Sequence, residues 1–204
     1  PGPGPVLFSE ELRQAHERLS GAGVKFLDFV LRHPGALKLD NFREMQEKAG
    51  GAEMQCWPTF IDSSARTAMA EAALTTYNLI RTIPARIFNN EPHAMSRYYG
   101  LPLKMIETQL DGVTPGFLAG LIARGDFLLT AAGYKCLEYN IAANIGGLHL
   151  SSWETHYLEH PLIREFLEEN RVRIANRDVI ALFLEHLLET ARATLSHIES
   201  PLNI

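Results

Sequence analysis

Cysteine is scarce in this chain. Cys56 and Cys136 are its only two, lie far apart and lack the spacing of a metal cluster, so the composition argues for a reduced interior rather than a disulfide-built scaffold. Basic excess is missing too. Lys and Arg number 19 against 24 Asp and Glu, the net charge is −5 and the two signs are interspersed, which speaks against a nucleic-acid partner. No apolar run reaches ~18 residues, the length that suggests a membrane span, and no signal-peptide pattern is visible. The expectation is a cytoplasmic protein without membrane association. Internal repeats, low-complexity tracts and any Ser/His/Asp arrangement are also lacking, so covalent acyl-enzyme chemistry has no visible nucleophile and no catalytic residue is assigned.

What the chain does have is apolar residues at helical spacing. With 46% hydrophobic residues in 204, it is long enough to bury the core of one domain, read as residues 9–204 behind a flexible Pro-Gly leader at 1–8. Ser9 is placed to cap a first helix with Leu12, Ala15 and Leu19 on one side, Glu10 and Glu11 at its positive end, and Gly21 and Gly23 at its close. Residues 25–31 form an apolar run that fits a strand or a buried helix equally. Asp40 or Asn41 suits the start of a short helix carrying Phe42, Met45 and Ala49. A long helix is expected from Ser63 or Ser64 to about Ile83, striped by Met69, Ala72, Ala73, Thr76, Leu79, Ile80 and Ile83 and broken by Pro84.

Two shorter helices are expected within Pro92 to Tyr99 and Pro102 to Leu110, parted by Gly100 and closed by Asp111-Gly112. Arg97, Tyr98 and Tyr99 are within reach of a ligand there, but aromatic side chains at such positions are read as packing. Further on, Ser151 and Glu154 make a capping box. His156 and His160 lie four apart on the helix it starts, without the acidic base that a His-Glu-x-x-His zinc site requires. The most regular stripe is Ile180, Phe183, Leu184, Leu187, Leu188, Ala191, Leu195 and Ile198, within residues 177–198. It needs a partner, either the rest of the fold or a second subunit in a homodimer.

Between these helices lies a stretch of different character, residues 124–148. Phe127 to Thr130 and Tyr134 to Asn140 are β-compatible runs separated by Ala131-Ala132-Gly133, which predicts a hairpin with a three-residue loop. In that register Thr130 faces Tyr134, Leu128 faces Cys136, Asp126 faces Glu138 and Arg124 faces Asn140. Arg124, Asp126, Glu138 and Asn140 then share one face, since side chains alternate along a strand. Two carboxylates set opposite each other repel unless a cation lies between them, and both Arg124 and a divalent metal qualify. Glu138 and Asn140 offer hard oxygen ligands suited to Mg²⁺ beside phosphates. Gly146-Gly147 adds backbone that a ligand can approach closely. The fold class expected is helix-rich α+β, with a small antiparallel sheet packed among helices.

Arg-x-Asp, a turn, Glu-x-Asn and then Gly-Gly-Leu resemble the N-terminal part of the eukaryotic-type glutathione synthetases, a circularly permuted branch of the ATP-grasp ligases. Pro58-Thr59-Phe60 before a long helix, and Phe117 to Leu121 before the first strand, extend the likeness over about residues 57–157. The resemblance implies an ATP- and Mg²⁺-dependent ligase that joins a small-molecule acid to an amine. In its terms Arg124, with Gly146 and Gly147, binds substrate, Glu138 and Asn140 hold Mg²⁺, and Asp126 orients Arg124. Ala142, Ala143 and Asn144 stand where glutathione synthetases carry substrate-binding serines, in a segment one residue shorter, so a different acid is expected. The family's nucleotide-gripping segments come later, and the chain reads as part of a longer protein. The competing expectation is a helical scaffold or dimerisation module that keeps the hairpin without catalysis.

Overall fold

The computed structural model describes residues 8–33, 47, 57–112, 121–141, 150–175 and 178–194. These fall into two compact units, the first taking residues 1–69 and 147–179 and the second residues 70–146 and 180–204.

The first unit begins with α1 (Glu10–Leu19) and α2 (Gly21–Arg32). Ser9 caps α1, its hydroxyl accepting from the Leu12 amide at 3.2 Å. Glycine does not end this helix. Ser20, in extended backbone, closes α1 with its own amide and opens α2 by accepting from the Ala22 amide at 3.1 Å. One serine therefore serves two helix ends, and Gly21 and Gly23 lie in the first turn of α2. The ambiguous run at 25–31 is helix, with Phe26, Leu27 and Phe29 fully buried.

Phe26 and Phe29 meet residues from distant parts of the sequence. They pack with Phe60 and with Leu162, Ile163 and Phe166 of α8 (Pro161–Glu169), which follows α7 (Leu150–Glu159). Ring centroids lie 4.9 Å apart for Phe26–Phe166, 5.3 Å for Phe26–Phe60 and 5.5 Å for Phe29–Phe166. Offset and edge-on aromatic contacts of this kind stabilise beyond the area they bury. Helix α7 begins at Leu150, one residue before the serine expected to cap it, so Ser151 falls inside the first turn.

The second unit takes up α3 (Ser63–Arg81) from Ala70 onward. Asp62, not a serine, caps α3, its carboxylate accepting from the Ala65 amide at 2.8 Å. Those bonds hold the Asp62 carboxyl below its usual range. The helix ends at Arg81, and Pro84 sits in the first turn of α4 (Ile83–Phe88). Proline is tolerated there because first-turn amides have no helical partner. Asn89 and Asn90 take positive φ of 51° and 57° to turn the chain. Then α5 (Pro92–Tyr99) follows as the sequence predicts, with Gly100 closing it at φ 66°, and α6 (Leu103–Gly112) runs on through Asp111 and Gly112, the residues expected to close it.

Rings of Phe88, Tyr98 and Tyr99 cluster, with centroids 5.0 to 5.7 Å apart, although Tyr98 is 73% exposed. Helix α9 (Val179–Thr194) forms within the predicted range. On it Phe183, Leu187, Leu188 and Ala191 are half-buried, while Ile180 and Leu184 are exposed. The helix expected after Asp40, residues 1–7 of the leader, Cys56, the run at 117–120, and Leu195 and Ile198 lie outside the described residues. Among the described residues one two-stranded antiparallel sheet stands in a helix-rich α+β chain. No described helix is long and apolar enough to cross a membrane.

Candidate functional site

Strands β1 (Ala123–Thr130) and β2 (Gly133–Ile141) form the sheet of the second unit. Its turn is one residue shorter than predicted. Thr130 pairs with Gly133 across Ala131-Ala132, and Gly133 takes φ 101°, a conformation natural to glycine. The Thr130 hydroxyl fixes this turn, donating to the Gly133 carbonyl at 2.8 Å and accepting from the Ala132 amide at 3.2 Å.

A shorter turn alone would turn the predicted face over. A bulge restores it. Phe127 pairs with Cys136 while Asp126 pairs with Glu138, which leaves Leu137 as the extra residue, 70% exposed. Two one-residue departures therefore cancel, and Arg124–Asn140 and Asp126–Glu138 are opposite each other as the alternation implies. The predicted Leu128–Cys136 and Thr130–Tyr134 pairs are corrected to Leu128–Lys135 and Thr130–Gly133.

One face of the hairpin anchors it. Tyr139 donates its hydroxyl to the Ala73 carbonyl of α3 at 3.0 Å and stacks on Tyr77 at 6.4 Å. Phe127 meets Tyr139 edge-on at 6.4 Å. Burial, then Cys136 and Tyr77, push the Tyr139 hydroxyl above its ordinary value. Gly125 lies under these rings. A Cβ there would overlap the Phe127 ring and come within 2.8 Å of Tyr139 Cε2. Gly125→Ala is expected to cost about 1–3 kcal/mol, as overpacking does, read as a lower midpoint in thermal unfolding. Unchanged stability would mean that the ring packing does not hold the hairpin.

The opposite face carries the polar residues. Arg124 donates from Nε to Asp126 Oδ1 at 3.1 Å and from Nη2 to Oδ2 at 3.4 Å, with side chains 41% and 44% exposed. At that exposure the pair adds little stability. Its consequence is positional: Asp126 aims the guanidinium, and no cation pairs with Glu138 among the described residues. Glu138 is exposed and Asn140 half-buried. Asn140 Nδ2 is buried without a hydrogen-bond partner among the described residues, and its amide also carries an oxygen able to act as a ligand. An exposed carboxylate and an amide oxygen, two residues apart on one face, fit Mg²⁺, which takes one or two protein oxygens beside waters and phosphates.

No family model, curated protein or solved structure matches the chain.

Gly146, Gly147, Ala142, Ala143 and Asn144 lie outside the described residues. The two histidines do not share a helix. His156 is on α7, whereas His160 caps α8, its Nδ1 accepting from the Leu162 amide at 3.3 Å. Sequence reasoning passed over Gly125, Tyr139 and Tyr77 as the residues that seat the hairpin. A glycine inside a strand, where it weakens pairing, was the available signal.

Proposed function

We propose that this chain is the N-terminal portion of an ATP- and Mg²⁺-dependent carboxylate–amine ligase of the ATP-grasp type. The observation that carries this reading is the one polar face on which Arg124 is turned onto Asp126 while Glu138, with Asn140 beside it, has no cationic partner among the described residues. In the reaction a carboxylate oxygen attacks the γ-phosphorus of ATP, giving an acyl phosphate and ADP. An amine then attacks the acyl carbon, the C–N bond forms and phosphate leaves.

Arg124 binds the acid's negative charge, with Asp126 limiting its rotamers, and Gly146-Gly147 lets substrate lie against backbone. Glu138 and Asn140 would hold Mg²⁺, which when bound neutralises phosphoryl charge. The cellular setting that fits is the cytoplasm, with a small acid and a small amine as partners.

The acid is not γ-glutamylcysteine on this reading. Ala142 and Ala143 replace hydroxyl donors worth about 0.5–1.5 kcal/mol each, so the full-length protein is expected to make glutathione poorly from γ-glutamylcysteine and glycine. Efficient glutathione release in a coupled assay would contradict that. The ligase reading itself is tested by ADP release from the full-length protein. Release should require Mg²⁺ and an acid together, and a hairpin serving only as scaffold gives none.

A further inference from the structure

Two histidines in the first unit occupy places that accept only a neutral ring. His16 on α1 is 4% exposed, and its Nδ1 is buried with no hydrogen-bond partner among the described residues. It lies against α2 where Gly23 makes room, since a Cβ there would come within 3.1 Å of Nδ1. Protonation would add an N–H at a buried Nδ1 that has no acceptor among the described residues, a costly placement. His160 is used differently. Its Nδ1 accepts from the Leu162 amide and so caps α8, which a ring protonated on both nitrogens cannot do.

Both positions bear on the same core. Helix α1 packs on α2, which supplies Phe26 and Phe29, and α8 supplies Leu162, Ile163 and Phe166. We propose that His16 and His160 form an acid-sensitive latch on the phenylalanine core, closed while both rings are neutral and loosened when both are protonated.

The charged surroundings agree with this. Around His16, α1 carries Glu10, Glu11, Arg13, Glu17 and Arg18, and α2 carries Lys25, Asp28 and Arg32. Arg13 and Asp28 pair with each other at 2.7 Å, and Asp62 is held by its own cap bonds. Burial alone lowers His16. Around His160, α7 carries Glu154, His156 and Glu159, and α8 carries Arg164, Glu165, Glu168 and Glu169. Burial lowers His160 as well.

Both rings titrate below their ordinary 6.5 in the folded chain. The unfolded chain therefore binds more protons in that window. Stability from these groups is complete above pH 6.5 and is lost as pH falls through 6.5 toward the lowered folded values. Glu154 has the opposite sign, because burial raises it and acid relieves that cost.

Hydrogen exchange on the full chain at about pH 7.5 and about pH 5.5 tests the latch, after correction for the intrinsic rate. Protection of α1 and α8 amides is expected to fall about tenfold at the lower pH, while β1 and β2 hold theirs. His160→Asn keeps a good cap that does not titrate, so α8 protection in that variant should stop responding to pH. His16→Gln should do the same for α1. If His16→Gln fails to fold, His160→Asn decides alone. A loss spread equally over the hairpin, or an α8 response unchanged in His160→Asn, would overturn the latch.

Discussion

Glu138→Gln in the full-length protein is expected to lower Mg²⁺-dependent ADP release by about 10²–10³-fold, the scale of losing one group aimed at reaction charge. Stability should move by no more than about 0.5 kcal/mol, as for surface changes away from any partner. Both halves follow from the same geometry. Glu138 is exposed and opposite Asp126, and the arginine that would neutralise it is already engaged by Asp126. Removing its charge breaks no ion pair and eases a like-charge opposition. Asp126→Asn should behave otherwise, releasing Arg124 and raising KM for the acid more than it lowers kcat, because it positions a binding group. Kinetics at saturating and limiting Mg²⁺, beside thermal unfolding of each variant, give the comparison. Full turnover in Glu138→Gln would leave the hairpin without a metal-binding role.

Phe166→Ala is expected to destabilise the first unit by about 3–5 kcal/mol, the usual cost of removing a buried phenylalanine. Phe166 is fully buried and touches Phe26, Phe29 and Phe60 at once, so no one neighbour can close the cavity. Against a total stability of about 5–15 kcal/mol for a domain, that is a large share. Urea unfolding should show the loss, and exchange of α2 and α8 amides should rise before that of the hairpin. A cost under about 1 kcal/mol would mean that this cluster is not the core it is taken for.

Helices with capping or glycine-closed ends could be read from the residues: Ser9 before two glutamates, Pro92 to Tyr99 ended by Gly100. Ser20 could not, because nothing local says that one serine will close a helix and open the next. The polar face of the hairpin was legible from alternation, but the path to it was not. A two-residue turn and a Leu137 bulge each shift the register by one, and their sum leaves no trace in the pattern.

Opposed carboxylates left open whether Arg124 or a metal lies between them; two residues along one strand put Asp126 within reach, and Asp126 pairs with Arg124. The histidine pair looked helical by spacing. Pro161 was the missed sign, since proline directly after a residue often marks that residue as the start of a new helix. The phenylalanine core joins residues from both ends of the chain, which no local pattern encodes.

Transfer of heavy oxygen from a labelled carboxylic acid to inorganic phosphate tests the ligase account most directly. The full-length protein is incubated with ATP, Mg²⁺ and a panel of amino acids labelled in the carboxylate, each offered as acid and as amine. An acyl phosphate predicts that ADP forms and that one labelled oxygen leaves in the phosphate for each bond made, with Glu138→Gln lowering both by about 10²–10³-fold. Label confined to AMP, or ADP formed with no label in phosphate, would contradict it.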